Sequence, residues 1–291
     1  MSDTIIISGS PRAGTTWLME VISILPNYKT IFEPLHKGWF PEVEKIGLGD
    51  RPYLPPDKKS PKIYDYFEHT LTGRILSRLP HFPLYDIPKR LISNKLIVKF
   101  VRANRLLPWI AKNFKVRGIY YIIRHPCATI SSQLKSKCTG YLRRTKGNLK
   151  DVIPDKKLVL KEALKIPEIR KNKNLISKLN KINSKIEILA TAWCLDNYTP
   201  LNQKDPRWIT IIYENLITNW NKEIQKIFKY IGEKIPKQVH RMYKKPSQTS
   251  ERTDYIGTKK QVEKWKTTLS ENQIKQIFKI TDWFGFKLYK N

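Results

Sequence analysis

The stretch Ile5-Ile6-Ile7-Ser8-Gly9-Ser10-Pro11-Arg12-Ala13-Gly14-Thr15-Thr16-Trp17-Leu18 decides the fold. Three β-branched residues predict a buried strand, a loop from Gly9 to Gly14 follows, and Trp17-Leu18-Met19-Glu20-Val21-Ile22 carries a helical apolar pattern on to Leu25. In such a strand–loop–helix unit the loop N–H groups converge with the helix N-terminus, where unsatisfied donors and the helix dipole favour an anion. The pattern therefore predicts a phosphate loop. A glycine turn between strand and helix occurs in any α/β protein, so this segment alone leaves a plain connecting turn open.

One position narrows the chemistry. A nucleotide-hydrolysing P-loop reads G-x-x-x-x-G-K-[ST], with Lys on the β/γ-phosphates and the hydroxyl on magnesium. Here Gly14 is followed by Thr15 and Thr16, and the nearest cation, Arg12, lies before that glycine. The order Arg12-Ala13-Gly14-Thr15-Thr16-Trp17 resembles the 5′-phosphosulfate loop of sulfotransferases that use 3′-phosphoadenosine 5′-phosphosulfate (PAPS). A second segment extends the resemblance. Gly118 to Ile123 reads as a buried strand, followed by Arg124-His125-Pro126 and a helical pattern from Ala128 to Leu134. Arg124, Pro126 two residues on and Ser132 eight residues on match the family's 3′-phosphate motif. A planar guanidinium and a hydroxyl together can grip a phosphate that ATP does not carry.

Two further matches follow. Trp208 to Leu216 reads as a strand ending in a Tyr-Glu-Asn-Leu turn that in the family sits near the adenine, which makes Tyr213 a candidate base contact; an aromatic closing a buried strand is the competing reading. Near the C-terminus Arg252, Gly257, Thr258, Lys259, Lys260 and Trp265 precede a helix beginning near Ser270-Glu271 and resemble the family's mobile basic loop over the 3′-phosphate. The resemblance covers most of the chain. It implies an α/β, P-loop-like three-layer fold with a central parallel sheet flanked by helices. The strands expected are roughly 4–8, 96–101, 118–123 and 208–213.

At 291 residues, 40% of them hydrophobic, the chain can bury one substantial core, and a single domain over 1–291 is expected. Within it, a basic stretch at about 135–185 reads as an insertion or lid, and the proline-rich stretch from Gly49 to Lys62 as an irregular surface loop. The 55 Lys and Arg against 25 Asp and Glu give +30, which attracts anions without naming them. A basic nucleic-acid-binding protein without catalysis is the alternative of another class, although no zinc-finger spacing or RNP motif supports it. Cys127, Cys138 and Cys194 form no C-x-x-C pair, so neither a disulfide framework nor a metal site is expected, and Cys127 is read as buried and inert. No leader pattern and no run of roughly 18 apolar residues is found, so no membrane span is expected, and the reading is a cytoplasmic enzyme.

The resemblance implies sulfuryl transfer from PAPS, without a metal, to a hydroxyl-bearing acceptor. Arg12 would bridge the 5′-phosphate and sulfonate, an electrostatic role since arginine does not deprotonate. Phe32-Glu33-Pro34-Leu35-His36 stands where carbohydrate-type members carry an aromatic-Glu-Pro segment, making Glu33 the first candidate base and His36 the second. A carboxylate near pKa of about 4.3 needs burial or anionic neighbours to serve as a base, and a loop carboxylate paired with lysine is the competing reading. Small-molecule members place a His after Lys-Thr in a middle strand, whereas this chain reads Lys99-Phe100-Val101-Arg102. A sugar or glycoconjugate acceptor, an anionic glycan among them, is therefore preferred to a small molecule or lipid.

Overall fold

In the computed structural model, the described residues are 2–75, 93–146, 148–203, 205–243, 245, 247 and 259–289. Seven strands occur among them: β1 Ser2–Gly9, β2 Tyr28–Phe32, β3 Lys95–Phe100, β4 Val116–Ile123, β5 Tyr141–Thr145, β6 Asn148–Val152 and β7 Trp208–Ile212. The main helices are α1 Thr15–Ile22, α2 Pro61–Leu71, α3 Leu107–Asn113, α4 Pro126–Ser136, α5 Lys185–Asn202, α6 Tyr213–Thr218, α7 Trp220–Tyr230 and α8 Glu271–Trp283.

Five strands form one sheet in the order β2-β3-β1-β4-β7, every pairing parallel. A strand covered on both faces needs no polar side, which is why Ile5, Ile6 and Ile7 run together and are all fully buried. They alternate between two cores. Ile5 and Ile7 join α1 and α7 on one face, while Ile6 joins α2, α3, α5 and α8 on the other. The result is three layers with β1 at the centre. Parallel sheets bind ligands outside the carboxyl ends of their strands, at the point where the connections turn to opposite sides. Here that point lies at β1, whose chain leaves toward β2 while β4 continues toward β7.

The four strands expected from sequence are present as β1, β3, β4 and β7. The fifth, β2, was hidden because Lys29 and Thr30 interrupt its apolar pattern, which an edge strand tolerates. The helix expected at Ser270-Glu271 starts at Glu271, with Ser270 and Gln273 forming a capping box.

The 135–185 stretch holds the antiparallel pair β5–β6 and three short helices. Val159, Ala163, Ile169, Leu175 and Leu179 of those helices enter the same core as α5. Of the stretch from Gly49 to Lys62 expected to be an irregular surface loop, residues 49–60 are irregular, Pro61 and Lys62 open α2, and Arg51 turns inward and is 2% exposed. Its guanidinium meets Asp196 of α5 at 2.8 Å and donates to the Thr139 and Val101 carbonyls. A buried cation persists only when paired in this way, so the proline-rich segment is fastened to the sheet rather than lying on the surface. Among the described residues no helix is long and apolar enough to cross a membrane.

Candidate active site

A cavity of about 490 Å³ opens at the carboxyl ends of β1, β2, β3 and β4, a volume suited to a nucleotide-sized ligand. Arg12, Gly14, Thr15, Thr16, Trp17, Arg124, Ser132 and Tyr213 line one part of it, and Glu33 and His36 another. Ala13 does not line it. Its side chain is buried, and its N–H donates to the Ser10 carbonyl at 3.0 Å to close the loop. Arg252, Gly257 and Thr258 lie outside the described residues.

The loop after β1 is held in an uncommon conformation. Arg12 has φ 70° and Gly14 φ 98°, both in the left-handed region. Gly14 is further constrained because a Cβ there would lie 2.6 Å from the Tyr213 ring. No side chain caps α1, so its first N–H groups keep their donors at the end of the helix where Thr15 and Thr16 line the cavity.

Arg12 and Ser132, 120 residues apart in sequence, meet: Arg12 Nε donates to Ser132 Oγ at 3.0 Å. Arg124 Nη1 donates to the Arg12 carbonyl at 3.1 Å, and α4 is tied to the same loop by Gln133 Nε2 on the Pro11 carbonyl. The Arg124 guanidinium lies 4.5 Å from the centre of the Tyr213 ring, whose hydroxyl accepts from Gln261 Nε2 at 2.8 Å. Arg124 Nε is buried without a hydrogen-bond partner. An orphaned guanidinium donor in a cavity lined by further cations is what an anionic ligand would satisfy.

The adjoining His125 points away from this wall. It stacks on Trp265 at 4.6 Å, and its Nδ1 accepts from the Cys127 N–H to cap α4. Burial, with Arg124 adding to it, pushes the imidazole down to about 4, which keeps Nδ1 an acceptor. Cys127 is fully buried and its thiol is raised to about 12 by burial.

The other part of the cavity is built around Glu33, which follows β2 with φ 51° and is 4% exposed. Its Oε1 pairs with Lys99 Nζ, and its Oε2 accepts from the Val101 N–H at 3.1 Å and from Arg102 Nη1 at 3.4 Å. Lys99 also lies over the Phe32 ring at 3.8 Å, and its burial lowers its pKa against the opposing pull of Glu33. Lys99 and Arg102 line the cavity and pair with Glu33 at once. His36 stacks under Trp39 at 4.3 Å and is pushed down to about 4 by burial, with Arg102 adding to it.

Sequence reasoning missed Trp39, Asp151 and Gln261, which also line the cavity. Trp39 follows the quoted Phe32–His36 segment closely enough to have been found. Asp151 arrives on β6, and nothing in its local sequence marks it. Among the described residues, no group of three or more His, Cys, Asp or Glu is placed to hold a metal.

No protein-family profile matches the chain, and no curated protein sequence does. Solved structures do. The sulfotransferase domain from the curacin biosynthetic pathway is 16% identical, with 99% of each chain covered and a TM-score of 0.54. The sulfotransferase domain from the olefin synthase of Synechococcus PCC 7002 is 14% identical, covering 98% of this chain and 95% of its own, with a TM-score of 0.51. At such identities the likeness concerns the fold: this chain has the P-loop-like α/β fold seen in sulfotransferase domains.

Proposed function

We propose that the protein is a PAPS-dependent sulfotransferase acting on the hydroxyl of a sugar or glycoconjugate. The observation that carries this reading is the convergence of Arg12, Ser132 and Arg124, drawn from two strand ends and joined by hydrogen bonds in one cavity. When bound there, PAPS would supply the sulfuryl group. Thr15, Thr16 and the first N–H groups of α1 are suited to its 5′-phosphate, and Arg12 to charge developing between phosphate and sulfonate. Arg124 and Ser132 are suited to the 3′-phosphate: Arg124 has a spare Nε donor, and Ser132 Oγ accepts from Arg12 and keeps its own O–H to donate. Tyr213 would lie against the base. Arg252, Gly257 and Thr258 stay assigned to the same donor by resemblance.

At the other end, Glu33 is the group proposed to accept the acceptor's proton. A carboxylate has about four lone-pair sites, and the three donors on Glu33 leave room for an incoming hydroxyl. His36, neutral near pH 7, would contribute a ring nitrogen beside it. The fixed cations of the cavity do for this chemistry what magnesium does in kinases.

Calorimetric titration with adenosine 3′,5′-bisphosphate, AMP and ATP, without metal, tests the reading on wild type and Arg124→Ala. Binding that requires the 3′-phosphate and weakens at least about tenfold in the variant supports it, in line with a lost charge-assisted contact. Equal, weak binding of all three nucleotides sinks it and returns the +30 charge to a nucleic-acid explanation.

A further inference from the structure

The segment after β2 leaves a large aromatic ring in water at the mouth of the cavity. Among the described residues four large hydrophobic side chains are exposed, and of these Trp39, at 50%, lines the cavity. Solvent exposure of a tryptophan is commonplace on a floppy loop, but this loop is fixed at both ends. The His36 N–H donates to the Glu33 carbonyl at 2.8 Å, and the His36 carbonyl accepts from the Trp39 and Phe40 N–H groups, both at 2.9 Å. Leu35 and Phe40, on either side, are buried in the core, and the Tyr66 hydroxyl holds the Pro34 carbonyl. One side of the Trp39 ring rests on His36 at 4.3 Å, and Phe32 approaches at 5.7 Å.

We infer that Trp39 is the platform on which an uncharged sugar ring of the acceptor lies, presenting its hydroxyl to Glu33. The inference rests on the sulfotransferase reading and names the acceptor subsite of that site. A rigid aromatic face held in place before binding gives contact area with little ordering left to lose. The negative face of an indole attracts the slightly positive C–H side of a sugar ring.

Charge argues for an uncharged ring at this position. Lys99 and Arg102 are answered by Glu33, with Asp151 also facing Arg102. The loop's own cation, Lys37, is paired with Asp50 at 3.5 Å. These cations already have carboxylates, so the Trp39 corner is not arranged to take a carboxylate or sulfate from the acceptor.

The test compares wild type, Trp39→Ala and Trp39→Phe. Adenosine 3′,5′-bisphosphate affinity is measured first; then transfer of labelled sulfate from PAPS is followed to chitotriose, cellotriose, the anionic polysaccharide heparosan and p-nitrophenol. The expected result is transfer to an uncharged oligosaccharide, with KM raised at least about tenfold in Trp39→Ala and largely restored in Trp39→Phe. The kcat should stay within about threefold, and adenosine 3′,5′-bisphosphate should bind all three proteins equally. An unchanged KM in Trp39→Ala overturns the platform. Preference for heparosan or p-nitrophenol overturns the uncharged sugar as its occupant. Failure of wild type to bind adenosine 3′,5′-bisphosphate instead strikes the sulfotransferase reading, and the platform falls with it.

Discussion

The two ends of the cavity are built on opposite principles. At the Arg12–Arg124 end, Arg12 donates to the Ser132 hydroxyl and Arg124 to the Arg12 carbonyl, and Arg124 Nε, like Arg102 Nε at the other end, is buried without a hydrogen-bond partner. At the Glu33 end, the charges are closed on one another: one carboxylate holds Lys99, Arg102 and the Val101 N–H, and all three side chains are at most 5% exposed. A guanidinium that donates to neutral oxygens can take an anion from outside as well, whereas a closed ion cluster is part of the protein's own stability. Mutation of the first end should therefore act on function alone, whereas mutation of the ion cluster at the second should act on folding as well as on function.

The largest effect is expected at the closed end. Glu33→Gln leaves two buried cations facing a neutral amide and should cost about 3–5 kcal/mol of stability, the range for breaking one partner out of a buried pair. Lys99→Met in the same chain should return part of that loss, since it removes one of the stranded charges. Urea unfolding of the two single variants and the double variant measures both. If Glu33→Gln unfolds within about 0.5 kcal/mol of wild type, the cluster is not structural and the contrast collapses.

Next comes the open end. Arg12→Ala should lower kcat for sulfuryl transfer by about 10²–10³-fold, the usual loss on deleting one preorganised donor to developing charge. Its stability should change by less than about 1 kcal/mol, because the left-handed backbone at this position strains alanine and arginine alike. A stability loss as large as that of Glu33→Gln would show that the two ends do not differ.

The same contrast explains what was legible in the sequence. The donor wall comes from contiguous segments, Arg12 to Trp17 and Arg124 to Ser132, whose residue order mirrors their order along a strand, a loop and a helix turn. The acceptor wall is assembled from β2, the end of β3 and β6, strands that meet only through the sheet and its neighbouring hairpin. Glu33 could be picked from its Phe-Glu-Pro setting, but its counter-ions could not be assigned before Phe32 and Lys99 were seen in register. β2 itself was lost to Lys29 and Thr30. The buried Arg51 was missed because a charged residue among prolines reads as surface until Asp196 of a distant helix is placed opposite it.

An effect that is smaller per pH unit should appear on acidification, and it links both ends. His36 borders the closed end and His125 backs the open one; burial depresses both to about 4 from 6.5. The unfolded chain takes up these protons near pH 6.5 and the folded chain only near 4. Stability should thus be complete above about pH 6.5 and fall as pH drops toward 4, by about 1.4 kcal/mol per pH unit for each ring. His125→Asn keeps an N-cap for α4 and should remove one ring's share of that slope. Urea midpoints at pH 7, 6, 5 and 4 for wild type and variant decide it; equal slopes would show that His125 does not titrate on unfolding.

The smallest effect tests whether the open end extends to Tyr213. Tyr213→Phe removes the hydroxyl that accepts from Gln261 but keeps the ring 4.5 Å from Arg124, so adenosine 3′,5′-bisphosphate should bind no more than about threefold more weakly. Tyr213→Ala removes the ring, leaves Arg124 without its aromatic neighbour and opens space against Gly14, so a loss of about tenfold is expected. If phenylalanine costs as much as alanine, the hydroxyl rather than the ring faces the nucleotide, and Tyr213 is a hydrogen-bonding residue of the donor wall. If neither substitution changes affinity, Tyr213 is an aromatic closing the end of β7, and the open end stops at Arg124.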